Sequence, residues 1–118
     1  MREERGQIEG DQRIDEKYTL WGSIGGDVRV VDGGRFYLRG SIYGNLTVEN
    51  GGRAHIFGNL QGNLTVKRGA KVIHSGVVGG NAVNAGGRLH IELTSRIHGT
   101  VKTKSGETTV EQNDPRLK

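Results

Sequence analysis

Three successive segments of eighteen residues are written to one template, and a template repeated without spacers restricts the fold more than any other feature of this chain. Gly22–Arg39 reads GSIGGDVRVVDGGRFYLR, Gly40–Phe57 reads GSIYGNLTVENGGRAHIF, and Gly58–Ser75 reads GNLQGNLTVKRGAKVIHS. A fourth copy from Gly76 is one residue short, and a degenerate fifth begins at Ser95. A short fixed period means stacked units, each burying its apolar face only against its neighbours.

Aligned copies form columns. Ile24, Ile42, Leu60, Val78 and Ile97 share one, and Val28, Leu46, Leu64, Ala82 and Val101 a second. Val30, Val48 and Val66 form a third. Phe36, Ala54, Val72 and Leu89 form a fourth, and Leu38, Ile56, His74 and Ile91 a fifth. Within a copy, neighbouring apolar columns are separated by one polar position, which is strand alternation and not the helical period. Glycines punctuate the columns at Gly22, Gly40, Gly58 and Gly76, at Gly26, Gly44, Gly62, Gly80 and Gly99, and at Gly33, Gly51, Gly69 and Gly106. Glycine reaches positive φ without penalty and suits sharp corners. Equivalent positions about six residues apart predict three short sides per coil. The expected fold is therefore all-β: a single-stranded β-helix (β-solenoid), triangular, of about 18 residues per coil and about five coils. A hairpin meander does not require identical residues once per full unit. A solenoid does, because each residue stacks on its equivalent about 4.8 Å away.

Composition suits such a narrow core. Only 32% of the 118 residues are hydrophobic, and 21 glycines accompany a single proline. There is no cysteine, which excludes disulfides and thiolate metal sites. No apolar run approaches a membrane span, and the N-terminus lacks a signal-peptide core. The expected location is cytoplasmic, at most peripheral to a membrane. Three parts are expected: a mobile charged leader (1–17), the solenoid (18–110), and a mobile polar tail (111–118), since neither flank offers enough apolar surface to offset ordering entropy. The leader carries six acidic and four basic side chains, whereas the rest carries thirteen basic and seven acidic.

The pattern G-x-I-x-G-[DN]-[LV]-x-V-x-x-G-G is carried first by Gly22, Ile24, Gly26, Asp27, Val28, Val30, Gly33 and Gly34. Repeated without loops over roughly residues 18–110, it resembles the bactofilins, bacterial polymer-forming cytoskeletal proteins. The resemblance implies a right-handed triangular β-helix that polymerises end to end without nucleotide. The chain departs from many members in lacking a short apolar membrane-targeting stretch in the leader, and its fourth and fifth copies are broken.

Four constellations are candidate sites. Open solenoid ends expose unpaired strand edges; with no capping helix evident, Tyr18, Leu20 and Ile24 are expected at one self-association face and Ile91, Ile97 and Val101 at the other, the plainer reading being that leader and tail fold over the ends. Asp27, Asn45, Asn63 and Asn81 form a column read as structural, because one aspartate among three asparagines is too little charge for calcium. Lys17, Arg35, Arg53, Lys71 and Arg88 form a basic stripe suited to an acidic protein partner or an anionic membrane surface, against the plainer reading of a solvated corner screened by salt. Nucleic acid is disfavoured because aromatic platforms do not recur beside the stripe. Trp21, Tyr43 and Phe57 are expected outward, with Arg39 between Trp21 and Phe57 in an arginine–aromatic stack; a lateral contact patch is the functional alternative.

The histidines offer less. His55 and His90 lie two coils apart, too far to share a metal, and His74 takes an inward position where a satisfied core residue is the simpler reading. Trimeric hexapeptide acyltransferases have comparable coils and a histidine base, but their acyl-donor domain and loop insertions are missing here. No Ser-His-Asp grouping, paired carboxylates or phosphate-cradling loop is visible, and no cofactor or metal is expected. The expectation is a non-enzymatic, self-associating scaffold. The alternative is a small binding module, an inhibitor or immunity protein that turns the basic stripe toward an acidic partner.

Overall fold

In the computed structural model, residues 2–111 are described. Nearly all of the expected tail, 112–118, lies outside them. Every regular element is a strand, and they come in threes. The first coil is β1 (Arg2–Glu4), β2 (Gln7–Ile8) and β3 (Gln12–Ile14); the second is β4 (Lys17–Leu20), β5 (Ser23–Ile24) and β6 (Val28–Val30). The third is β7 (Arg35–Leu38), β8 (Ser41–Ile42) and β9 (Leu46–Val48); the fourth is β10 (Arg53–Ile56), β11 (Asn59–Leu60) and β12 (Leu64–Lys67). The fifth begins with β13 (Lys71–His74) and β14 (Val77–Val78) and continues into β15 (Ala82–Ile91), which turns the corner into the sixth. Then come β16 (Arg96–Ile97) and β17 (Val101–Val110).

Every pairing is parallel and joins equivalent strands of successive coils, giving three flat sides and a β-solenoid. The second side is a six-stranded sheet running from β2 to β16, so there are six coils where the repeat predicts about five. From the second coil to the fifth the register advances eighteen residues, as in Lys17↔Arg35 and Arg35↔Arg53.

The extra coil is the expected leader. Residues 2–14 pair with the second coil at an offset of sixteen, not eighteen: Arg2↔Tyr18, Ile8↔Ile24 and Ile14↔Val30. The corner from β3 to β4 contains only Asp15 and Glu16, two residues fewer than Val31–Gly34 in the next coil. Alignment at an eighteen-residue period therefore conceals the match. The leader's charge is no obstacle, since Ile14 is buried and Ile8 half-buried while Glu3, Glu9 and Asp11 point outward.

The predicted inward columns fill the prism, with Leu20, Val30, Phe36, Leu38, Ile42, Leu46, Ile56, Leu64 and Val72 inaccessible to solvent. Tyr18 and Phe36 pack edge to face at 5.9 Å between centroids. Alternation along each short strand makes this one continuous core, one coil wide.

The glycine columns have different causes. Gly51 (φ 81°) is the third residue of a turn closed by Gly52 N–H donating to Glu49 C=O at 2.8 Å, a geometry that requires positive φ there. Gly40 has no such backbone. A Cβ on it would overlap the Gly22 carbonyl oxygen of the preceding coil. The opening glycines therefore permit close approach between coils and not a special dihedral, a correction to the reading of all the glycine columns as corners that use positive φ.

The asparagine column performs the structural role expected of it, through the backbone. Asp11 Oδ1 accepts from Asp27 N–H at 2.8 Å, Asp27 from Asn45 N–H at 2.7 Å, Asn45 from Asn63 N–H at 2.8 Å, and Asn63 from Asn81 N–H at 2.8 Å. Asn81 completes the ladder on Thr100 N–H at 2.8 Å. Each side chain satisfies a main-chain donor at the corner of the following coil.

Candidate functional site

Strand register places Lys17, Arg35, Arg53, Lys71 and Arg88 opposite one another in successive coils, all exposed, at the leading edge of the first side. The row ends on Glu107, opposite Arg88. Neighbouring cations at the coil spacing of about 4.8 Å repel by roughly 1 kcal/mol per pair even in water. Other cations nearby are neutralised: Arg29 meets Glu49 at 2.7 Å and Arg13 meets Asp15 at 3.1 Å. Arg35, Arg53, Lys71 and Arg88 form no ion pair among the described residues, and Lys17 lies 6.0 Å from the centroid of the Tyr37 ring.

The row borders concave surface. On its corner side runs a groove of about 540 Å³, floored by Gly51, Gly52, Gly69, Gly86, Gly87 and Gly106, with Arg53, Lys71 and Arg88 along it. On its flat side are two shallower depressions of about 240 and 270 Å³, which share Lys71 and Ile73. The corner residue three places before the row changes from Asp32 to Asn50 to Arg68 along the rod. The stripe is therefore uneven, its positive character concentrated from Arg53 to Arg88.

The aromatic residues divide. Arg39 lies 5.1 Å from the Trp21 centroid and 4.3 Å from that of Phe57, the expected stack. Arg5 extends it, 5.2 Å from Trp21, and His55 stacks on Phe57 at 3.8 Å. Tyr43, 54% exposed, sits on the next corner and does not join them. With their faces covered by guanidinium groups and imidazole, Trp21 and Phe57 present mainly ring edges outward.

The expected N-terminal face is corrected. Tyr18, Leu20 and Ile24 are buried beneath the first coil, whose strands β1 and β2 pair with theirs. At the other end, Ile91 is 7% exposed because β17 covers it, while Ile97 and Val101 lie in the last strands of their sides.

The structure also brings together His55, Ser75 and Glu92, a hydroxyl–imidazole–carboxylate grouping that motif inspection misses because it spans three coils. Ser75 Oγ donates to Glu92 Oε1 at 2.5 Å and lies 3.1 Å from His55 Nε2, which is 3.7 Å from the same carboxylate oxygen. The carboxylate holds the hydroxyl proton directly instead of orienting the imidazole from behind, so the geometry is not that of a nucleophile poised for deprotonation by histidine. Aligning the corner column Trp21, Arg39, Phe57, Ser75, Glu92 would have exposed the contact. Burial pushes the His55 pKa below 6.5, with Glu92 opposing and Arg39 reinforcing the shift.

His74 is wholly buried. Its Nε2 lies 3.0 Å from the Arg96 carbonyl while Nδ1 has no hydrogen-bond partner. Burial lowers its pKa from 6.5, partly offset by that carbonyl. Asn84, where the column otherwise holds Val30, Val48 and Val66, was not anticipated. Its amide donates to Gly87 O, Glu107 O and Thr108 Oγ1 and accepts from Gly86 N–H and Gly87 N–H. The signal was the missing residue of the fourth copy, since Asn84 fills in for the shortened corner. Among the described residues no cluster of three His, Asp or Glu side chains is placed to hold a metal ion.

Comparison with protein-family models, with curated proteins and with solved structures returns no match.

Proposed function

We propose that this chain is a non-enzymatic cytoplasmic scaffold that associates with further copies of itself through its end strands, as the bactofilins it resembles in sequence pattern do. The supporting observation is the state of the two ends. Among the described residues, β2 and β16 terminate the second side with one edge unpaired each, and β3 and β17 do so on the third. The inward columns run out to these edges: Ile8 and Ile97 are only partly covered, and Val101 and Val110 are 43% and 46% exposed. Unpaired N–H and C=O groups beside apolar side chains favour strand addition. A further copy supplies strands of the same width and pleat.

Light-scattering mass measured against concentration, with electron microscopy of the same samples, tests this reading. Mass should rise with concentration, and Thr103→Pro, which removes a strand donor next to the β17 edge, should reduce it. A particle that stays monomeric at high concentration overturns it.

A further inference from the structure

We propose that the surface along Arg53, Lys71 and Arg88 is a docking site for an extended acidic polypeptide segment. The argument is independent of self-assembly. Three features of the site coincide in the fourth to sixth coils. First, these three cations follow one another at the coil spacing and form no ion pair among the described residues, the row ending beyond them on Glu107. A row of this kind attracts an anionic chain through a concentrated positive field, its side chains anchored in register by the strands. Second, the corner beside them is floored by glycine from Gly51 to Gly87, which lets a partner's main chain come close to the groove, and Glu107 closes its far end. Third, the opposite flank carries two half-buried outward side chains with apolar surface, Tyr37 and Ile73, which line the depressions there.

An extended peptide presents alternate side chains to opposite sides. Laid along the row, it can turn carboxylates toward the cations and the intervening apolar side chains toward Tyr37 and Ile73. Same-side residues of a strand repeat at about 6.6–6.8 Å, against about 4.8 Å for the cations; the long Arg and Lys stems span the difference. Charge gradation sets the position. Toward the N-terminus the corner carries Asp32 beside Arg35, and toward the C-terminus Arg68 beside Lys71. The segment therefore centres on Lys71 and not on Lys17.

Single-stranded nucleic acid fits less well. It needs open aromatic faces next to its phosphate track, whereas Trp21 and Phe57 lie at another corner with Arg5, Arg39 and His55 against their rings.

The test uses fluorescence anisotropy of the full chain with a labelled peptide of alternating Glu and Val at low ionic strength. Binding should weaken with added salt, and should fall about tenfold or more in Arg53→Gln/Lys71→Gln/Arg88→Gln. Lys17→Gln should change it less than about twofold, and circular dichroism should show both variants folded. All four side chains are exposed, so folding is not at stake. Absence of binding by the wild type, equal losses in the two variants, or tighter binding of a charge-matched oligothymidylate or of phosphatidylserine vesicles would each overturn the assignment.

Discussion

Restoring the repeat's own residue at position 84 should weaken the protein. Val30, Val48 and Val66 occupy the equivalent inward position, so consensus reasoning expects Asn84→Val to stabilise. The structure reverses the sign. Asn84 is inaccessible to solvent and binds both ends of the shortened corner, accepting from Gly86 and Gly87 N–H at 3.2 and 2.9 Å and donating to Gly87 O and Glu107 O at 3.1 and 2.9 Å. Valine leaves the buried Gly87 N–H and two carbonyls short of a partner, at about 1–3 kcal/mol for each group left unsatisfied. Burying valine returns only about 2 kcal/mol. The net loss is about 2 kcal/mol or more, roughly 8 °C in melting temperature for a chain of this size. Urea and thermal unfolding followed by circular dichroism measure it. A compensating change sharpens the test: inserting Asn between Ala85 and Gly86 in the Asn84→Val variant recreates the V-x-N-G-G-R corner of Val48–Arg53, and should recover most of the loss. If Asn84→Val is as stable as the wild type, or the insertion rescues nothing, the account of Asn84 as a substitute for the missing turn residue is wrong.

Stability should fall as pH drops below about 6.5, because His74 titrates near 6.5 when unfolded but lower when folded, so the unfolded chain binds the extra proton in that window. His74→Leu should reduce this dependence in urea midpoints compared at about pH 5 and about pH 8, leaving the share of His55, whose pKa is also lowered by burial. Gly40→Ala drives a methyl into the Gly22 carbonyl and should cost several kcal/mol, whereas Gly25→Ala, whose nearest neighbour would be the Ile8 carbonyl at 3.6 Å, should be nearly silent in the same melts. Arg39→Ala removes the guanidinium shared by Trp21 and Phe57 and should cost about 1 kcal/mol, with a red shift of Trp21 emission as its face is uncovered.

The interior is legible because it repeats. Leu38, Ile56 and Ile42 can be placed inward from columns alone, and the same columns align Lys17 through Arg88. What the columns hide departs from the period. The first coil is two residues short, so Ile8 and Ile14 fall out of alignment with Ile24 and Val30, and a leader rich in Glu and Asp resembles a solvated tail. That one error displaced the expected N-terminal face onto Tyr18, Leu20 and Ile24, which are core. Asn84 and the His55–Ser75–Glu92 grouping are hidden for a related reason: both are contacts between coils, created by differences among copies. Glycine reads as one signal although two constraints select it, positive φ at Gly51 and close approach at Gly40.

These departures bear on how the two proposed surfaces relate. The proposed end-to-end association would use the edges of β2, β3, β16 and β17, while the proposed acidic-peptide site uses side chains on β10, β13 and β15, next to the shortened corner of the fifth coil. The two adjoin at β17, whose Gly106 and Glu107 line the groove. A ligand shifts an assembly equilibrium only by its differential affinity for the two states, so a peptide held on the flank of the fourth to sixth coils leaves contacts at the first coil unaltered and acts on assembly only through the β17 end. Lateral packing of rods would behave otherwise. Glu9 and Asp11 of the first coil are exposed acids, and a contact between them and Arg53, Lys71 and Arg88 of another copy would compete directly with the peptide. A lateral contact of that kind and the peptide would be mutually exclusive, and by reciprocity of linkage each would weaken the other to the same degree.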